Sequence, residues 1–362
     1  MEPFVLKQDT DHHRERQEYA VRLYEADNEL PHRYVFILTN RCNLRCPFCF
    51  QEKKRLPNSM TTKDWLKLID QLPEYAWVTL TGGEPFVFKG FHEIFASVAA
   101  KFKCNIITNG VLLNEELTER LLDEPNLRTL SISIDDVGNT VRLIKHNQWQ
   151  KAENEIRRFA KRKHERNSLT ILDSKTVVLD ENAKDLLDIH KYCLEDLQCD
   201  THSLQFLKGA PIQHADNMFP VEAMFQETKA HVYENWGIIR EQLEKIRKYN
   251  LDNGKTCYLH PKMCDINTQH PFDSNEIDIF NREDHFPDDF FPCMAPWESV
   301  HVNVDGIVFP CMAIEMGNIK THSLDEVING DRFKKFKSEI RTKGTVEGCN
   351  RCGYLRPRYL SE

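Results

Sequence analysis

The sequence predicts an α/β protein built on a parallel sheet, followed by a smaller cysteine-bearing region. Three observations predict it. Short apolar runs alternate with amphipathic stretches six times between residues 33 and 209, the rhythm of strand–helix units joined by right-handed crossovers. Polar or glycine-rich motifs stand at the carboxyl ends of the apolar runs, the edge where parallel sheets bind ligands. Past residue 209 the rhythm stops, and a second group of cysteines begins at Cys293. Six units fall short of a closed eight-fold barrel, which leaves a partial barrel or an open doubly wound sheet.

The elements follow in order. Residues 1–32 are polar and read as a short helix or arm. "RYVFILT" (33–39) is a buried strand, a short apolar run that stops at a polar loop. "TTKDWLKLIDQL" (61–72) has a threonine cap and helical spacing of Trp65, Leu66, Leu68 and Ile69. "WVTLTGG" (77–83) is a strand ending in glycines, and "FHEIFASVAAKF" (91–102) a helix. Strands at 104–110, 127–135 and 202–209, and a strand or hairpin at 168–179, then alternate with helices at 114–123, about 149–164, and 182–197. Residues 216–250 read as helical and 251–292 as an irregular stretch rich in Pro, Asp and Phe. In "HVNVDGIVFPC", Asp305-Gly306 between alternating apolar runs reads as a tight hairpin. The division expected is an arm (1–32), a core (33–215), a linker covering the barrel mouth (216–292) and a C-terminal domain (293–362).

Composition narrows the function. With 362 residues, 40% of them hydrophobic, the chain can bury one large core and a smaller one. A net charge of −8 argues against nucleic-acid binding, which leaves a basic footprint. The densest basic run, Arg157–Arg166, reads as the solvated face of one helix. No segment approaches the ~20 apolar residues of a membrane span, and the N-terminus is too polar for a signal peptide. A cytoplasmic protein without membrane contact is expected, in which thiols stay reduced. Its 12 cysteines are then metal or cluster ligands before they are disulfides.

Two cysteine groups carry chemistry. "TNRCNLRCPFCFQ" places Cys42, Cys46 and Cys49 with spacers of three and two residues. Three thiolates leave one metal position without a protein ligand, as catalytic zinc sites do and structural ones do not. On a 4Fe–4S cube, a chelating small molecule with an amine and a carboxylate can fill that position. Incidental buried cysteines, or zinc with a distant fourth ligand, are the alternatives. "TLTGGEPF" supplies Gly82 and Gly83, which permit close backbone approach, and Glu84, a carboxylate for an ammonium group. Asn109 and the one-face set Ser131, Ser133 and Asp135 follow the next two strands, either as ligand contacts or as polar strand ends. The second group is Cys293, Cys311, Cys349 and Cys352, with Gly306 in a G-x4-C arrangement. Four thiolates can close a cluster or a zinc site. Cys104 and Cys193 read as small core residues; Cys257 and Cys264 are weak candidates for a catalytic hydrogen or proton donor.

Cys42, Cys46, Phe48 and Cys49 match C-x3-C-x-aromatic-C position by position, and the first group resembles the radical S-adenosylmethionine (radical SAM) superfamily. "GGEP" after the second strand agrees. The resemblance implies a partial (β/α)6 TIM barrel as core. It implies a 4Fe–4S cluster on Cys42, Cys46 and Cys49 whose open iron chelates SAM, and reductive cleavage to a 5′-deoxyadenosyl radical that abstracts hydrogen. Phe48, Gly82, Gly83, Glu84, Asn109, Ser131, Ser133 and Asp135 would contact SAM. The C-terminal group resembles the twitch form of the SPASM domain, a hairpin plus a helix over about 323–341, with one auxiliary 4Fe–4S cluster on Cys293, Cys311, Cys349 and Cys352. The chain's end at Glu362 leads to the expectation that a second auxiliary cluster is absent.

The leading expectation is an oxidoreductase acting like twitch-bearing dehydrogenases on a polar small molecule such as a sugar or aminocyclitol, fed by flavodoxin or ferredoxin. Radical epimerisation is the first alternative. Maturation of a ribosomal peptide is the second, counted down because only 32 residues precede the first strand. An electron-transfer or zinc-scaffold protein is the non-enzyme alternative, disfavoured by the incomplete three-cysteine site.

Overall fold

Residues 4–49, 59–208, 212, 218–225 and 231–360 are described by a computed structural model of the chain. Helix α1 (Phe4–Ala26) precedes β1 (Arg33–Ile37), α2 (Thr62–Ile69), β2 (Trp77–Thr81), α3 (Phe91–Ala99), β3 (Lys103–Thr108), α4 (Glu115–Leu122) and β4 (Leu127–Ser133). Then come α5 (His146–Glu165), β5 (Ile171–Val178), α6 (Leu186–Lys191), β6 (Thr201–Phe206), α7 (Trp236–Asn253) and β7 (Cys257–His260). The chain closes with α8 (Ala295–Glu298), β8 (Ser299–Val302), β9 (Ile307–Phe309), β10 (Gly317–Asn318), α9 (Leu324–Ile328) and α10 (Asp331–Lys343).

Strands β1 to β6 pair in parallel in sequence order, as a partial (β/α)6 barrel requires. Local chemistry explains the helix starts. The Thr61 hydroxyl accepts from Asp64 N while the Asp64 carboxylate accepts from Thr61 N, and Asn114 caps α4 through Leu117 N, each satisfying an otherwise orphaned amide. The outer faces of the strands are apolar and meet the helices: Tyr34 and Phe36 are fully buried, with Phe36 4.9 Å from Trp65 of α2. The inner face is polar. Asn105 Oδ1 accepts from Trp77 Nε1 (2.9 Å) and Thr79 Oγ1 (2.8 Å). The Asp173 carboxylate accepts from Ser131, Thr201 and Ser203 and pairs with Lys175 at 3.0 Å. Alternation on a strand thus separates core from chamber.

Helix α1 covers the amino-terminal end of the sheet. Arg16 pairs with Glu298 just before β8, and Glu15 with Lys103 at the start of β3 (2.7 Å). The carboxyl-terminal end is left to the loops.

Four expectations are corrected. Residues 251–292 are not wholly irregular, because β7 lies within them and pairs in parallel with β6 from His202↔Cys257 to Gln205↔His260. Four residues with a single strand neighbour carry no periodic signal of their own. The hairpin is also not a separate layer: β8 pairs in parallel with β1, and β9 and β10 add antiparallel strands beyond it. Among the described residues one ten-stranded sheet results, ordered β10-β9-β8-β1-β2-β3-β4-β5-β6-β7. The expected 323–341 helix is two, α9 and α10, parted at Asn329-Gly330. The expected helix over 216–250 is described as one 3-10 stretch, Val221–Phe225, and α7; the boundary at 215 lies outside the described residues.

Candidate active site

The loop after β1 carries Cys42, Cys46 and Cys49, and three further strand ends close on it. Gly83 N donates to Thr39 O (2.6 Å) and Glu84 N to Arg41 O (2.9 Å). A Cβ on Gly82 would lie 2.4 Å from Thr39 O, and one on Gly83 2.4 Å from Arg41 O. The glycines are therefore required by the close approach of two backbones, the cysteine loop and the end of β2.

Glu84 is fully buried. Its carboxylate accepts from Thr108 Oγ1 (2.8 Å), Asn109 N (2.9 Å) and Phe86 N (3.2 Å), and burial pushes its pKa up to about 7. Asn109 completes the link, donating from Nδ2 to Asn43 Oδ1 (2.8 Å) and towards Cys42 Sγ (3.8 Å). Asp135 is fully buried as well, forms an ion pair with Arg142, and accepts from Val177 N (2.6 Å). Arg142 then reaches Cys46 Sγ (3.8 Å) and lies over the Phe48 ring, 5.4 Å from its centroid. Burial raises the Asp135 pKa, and the guanidinium beside it pulls it back.

Within the chain, the side chains expected at SAM have these partners. Glu84 and Asp135 spend their carboxylates on the protein, and Ser131 donates to Asp173 on the inner face. They brace the strand ends around the cysteine loop instead of presenting free groups. Ser133 offers its carbonyl to Asn139 Nδ2 (3.1 Å). The positions gathered by the fold are Phe48, Gly82, Gly83, Glu84, Asn109 and Asp135; Ser131 is drawn towards the chamber. Arg142, Thr108 and Asn43 were not singled out from sequence. Arg142 sits in "DDVGNTVR", where no spacing rule marks an arginine as the partner of a distant cysteine.

Cys257 and Cys264 are corrected too. Cys257 shares the face of its register partner His202 and points into the helical layer, whereas Tyr258 opposes Ser203. Cys264 is buried, and desolvation pushes its thiol up to about 12. Cys257 therefore turns its thiol away from the inner chamber.

The second cysteine group is built differently. Because β9 runs back along β8, Cys311 returns towards the amino-terminal end of the sheet. There Arg33, at the start of β1, donates to Tyr354 (3.0 Å), two residues past Cys352. All four thiols converge: burial, then the neighbouring Cys352, Cys293 and Cys349, push Cys311 well above the usual thiol range. Burial pushes Cys293 up to about 12. Val346 N donates to Cys349 Sγ (3.5 Å). Lys208, just past β6, faces Cys352 and Cys311, which offset the effect of burial on its ammonium. Six residues of strand separate the Arg33 level from Thr39, on the order of 20 Å, so the two cysteine groups lie at opposite ends of β1.

Both donor sets fit iron–sulfur chemistry. Around the loop, an amide and an amide side chain point at Cys42 Sγ (Leu44 N at 3.3 Å, Asn109 Nδ2) and a guanidinium at Cys46 Sγ, the donors that stabilise thiolate charge on a cluster. The four converging thiols repel one another as thiolates unless a cation is shared between them. Two family patterns decide the matter. The Radical SAM superfamily matches residues 36–193, and an iron-sulfur cluster-binding domain, SPASM, matches 293–353.

Residues 36–193 form a domain of the radical SAM superfamily.

This radical SAM enzyme carries a C-terminal SPASM/twitch domain. Its cofactors are a 4Fe–4S cluster with SAM and auxiliary iron–sulfur chemistry, which supply a 5′-deoxyadenosyl radical and a centre for electrons. Among its relatives, the sporulation killing factor maturation protein SkfB of Bacillus subtilis is 24% identical over 323 residues, 87% of this chain and 69% of that protein. A PqqA peptide cyclase of Granulibacter bethesdensis is 37% identical over 105 residues, 28% of each chain. In structure, SuiB of Streptococcus suis, solved with precursor peptide SuiA, aligns with a TM-score of 0.61 at 16% identity, over 90% of this radical SAM chain and 70% of that one. That likeness shows the shared fold. Among the described residues no helix is long and apolar enough to cross a membrane.

Proposed function

We propose that this enzyme modifies a peptide by hydrogen abstraction. In this reading Cys42, Cys46 and Cys49 would hold the SAM-binding cluster, and Cys293, Cys311, Cys349 and Cys352 one auxiliary cluster. The observation that carries the peptide reading is the SkfB match, which covers most of the chain and names a maturation protein; the peptide cyclase match supports it. Oxidation of a sugar or aminocyclitol, the expectation from sequence, has less support than this alternative.

The chain's own residues would do three things. Glu84, Asn109 and Arg142 hold the cysteine loop against the ends of β2, β3 and β4. The polar inner face, including part-exposed Lys175, lies between the two cysteine groups and would orient a peptide by hydrogen bonds. Lys208 would place a positive charge beside Cys311 and Cys352. Reduction would come from an external donor of the flavodoxin or ferredoxin type.

The test is anaerobic incubation with SAM, a reductant and the short peptides encoded beside the gene. A peptide mass decrease equal to the hydrogen removed, matched by 5′-deoxyadenosine, is expected. Turnover on a sugar or aminocyclitol, with every peptide unchanged, would overturn the peptide reading.

A further inference from the structure

A buried group on the outer side of the sheet plays no part in the active site. His190 of α6, His202 of β6 and Cys257 of β7 are all fully buried, and one ligand atom from each lies within 4.8 Å of the others. The two imidazoles meet Nδ1 to Nδ1 at 2.9 Å. What lies between those nitrogens depends on where the ring protons are, and the surroundings fix that.

Asn267 is oriented by backbone: its Oδ1 accepts from Cys257 N (3.0 Å) and its Nδ2 donates to Cys257 O (2.8 Å). Its Oδ1 therefore faces Asn250 Nδ2 (3.3 Å), which turns Asn250 Oδ1 towards His190 Nε2 at 2.7 Å. That nitrogen must carry its proton. On the other side, the Thr176 hydroxyl donates its single proton to Ile134 O, and so accepts from His202 Nε2 at 2.8 Å. His202 Nε2 is protonated as well. Neutral imidazole carries one proton, so both Nδ1 atoms present bare lone pairs to each other, with the Cys257 thiol beside them.

Two lone pairs at that distance need a cation between them. A shared proton would create a buried imidazolium, and no carboxylate is hydrogen-bonded to either ring among the described residues. A metal ion meets the requirement better. Ligating histidines donate their other ring N–H to an acceptor, which fixes tautomer and ring orientation, and both rings here do so. Two imidazole nitrogens and a thiolate suit Zn2+ or Cu+. Bonds of about 2.0–2.1 Å would set the nitrogens about 3.3 Å apart, a small ring rotation from the observed separation.

We propose that His190 Nδ1, His202 Nδ1 and Cys257 Sγ hold one d10 metal ion, Zn2+ or Cu+, that ties the short edge strand β7 to β6 and α6. On binding, the Cys257 thiol loses its proton to solvent and the two imidazoles stay neutral, so the site carries zero net charge with Cu+ and one positive charge with Zn2+.

Metal analysis of the full chain tests this, after anaerobic purification, iron–sulfur reconstitution and desalting. About one zinc or copper per chain is expected beyond the iron, falling to near zero in Cys257→Ser and His202→Gln but retained in Cys42→Ala and in Cys311→Ala. X-ray absorption on the unaltered protein keeps the test independent of variant folding: a mixed nitrogen and single-sulfur shell supports the site. An all-sulfur shell would place the metal on the cluster cysteines and overturn the proposal. So would a folded, fully reconstituted protein free of zinc and copper, which would leave the rings sharing a proton or Thr176 turned to His202.

Discussion

The three-cysteine loop and the four-cysteine group are made from the same ligand type and are held in opposite ways. The loop cysteines are part-exposed, follow one another on one short segment, and depend on strand ends that are distant in sequence. The four-cysteine group draws its thiols from segments up to 59 positions apart and gathers them at the other end of β1, with Cys349 buried and the other three half-buried. An open ligand position has to be reachable by a small molecule, so its loop is steadied from behind by side chains. A closed position needs no access, and a fourth protein ligand can complete it. The comparison teaches that the incomplete site is the one the barrel invests its buried charges in.

Removing ligands breaks the comparison most completely. Cys42→Ala is expected to abolish 5′-deoxyadenosine release, whereas Cys311→Ala leaves that release in place and stops product formation. Iron should fall from about eight to about four per chain in each variant. Loss of SAM cleavage in Cys311→Ala as well would show that the two groups are not separate in function.

Arg142 is the next test. Arg142→Leu leaves the buried Asp135 carboxylate without its partner, which costs about 3–5 kcal/mol by chemical denaturation. SAM cleavage should fall about 10–100-fold, as for other residues that support metal ligands. An unchanged SAM cleavage rate at equal iron content would remove Arg142 from the support of the loop.

Glu84 gives a smaller effect with a definite sign. Its folded pKa of about 7 lies above the ordinary 4.5, so the folded state binds more protons between those values. The contribution of Glu84 to the stability of the iron-free chain is then fully present below about pH 4.5 and is lost as pH rises towards 7, by up to about 3 kcal/mol. Urea titrations should show that slope flattened in Glu84→Gln. A variant with the slope of the unaltered chain would assign the pH dependence elsewhere.

Gly83→Ala sharpens the contrast most finely. The added methyl meets Arg41 O and should cost about 1–3 kcal/mol. Iron occupancy of the loop should drop with the auxiliary iron unchanged, which iron counts in a Cys311→Ala background would resolve.

Much of the molecule was legible before its structure. The six strand–helix units showed as apolar runs alternating with amphipathic stretches, and a threonine cap marked where the helix after residue 61 begins. The Cys42–Cys46–Cys49 spacing, the double glycine and Gly306 with its hairpin were local patterns, readable because each is complete within about ten residues. What escaped was non-local. Strand β7 is defined by its pairing with β6, and β8 by its place beside β1, more than 260 positions away. The roles of Glu84 and Asp135 were legible as carboxylates at strand ends but not as braces, because Thr108, Asn109 and Arg142 become their partners only when the sheet curls.

By itself the sequence determined the ligand chemistry: three thiolates in one segment, four in another, and a barrel core to carry them. Tertiary structure decided where charge is spent and which faces meet. Side-chain type and short spacing are written in the chain, but a hydrogen bond between residues 24 or 42 positions apart exists only after strands pair. The polar chamber, the two-ended arrangement of the cysteines and the His190–His202–Cys257 cluster all belong to that second class.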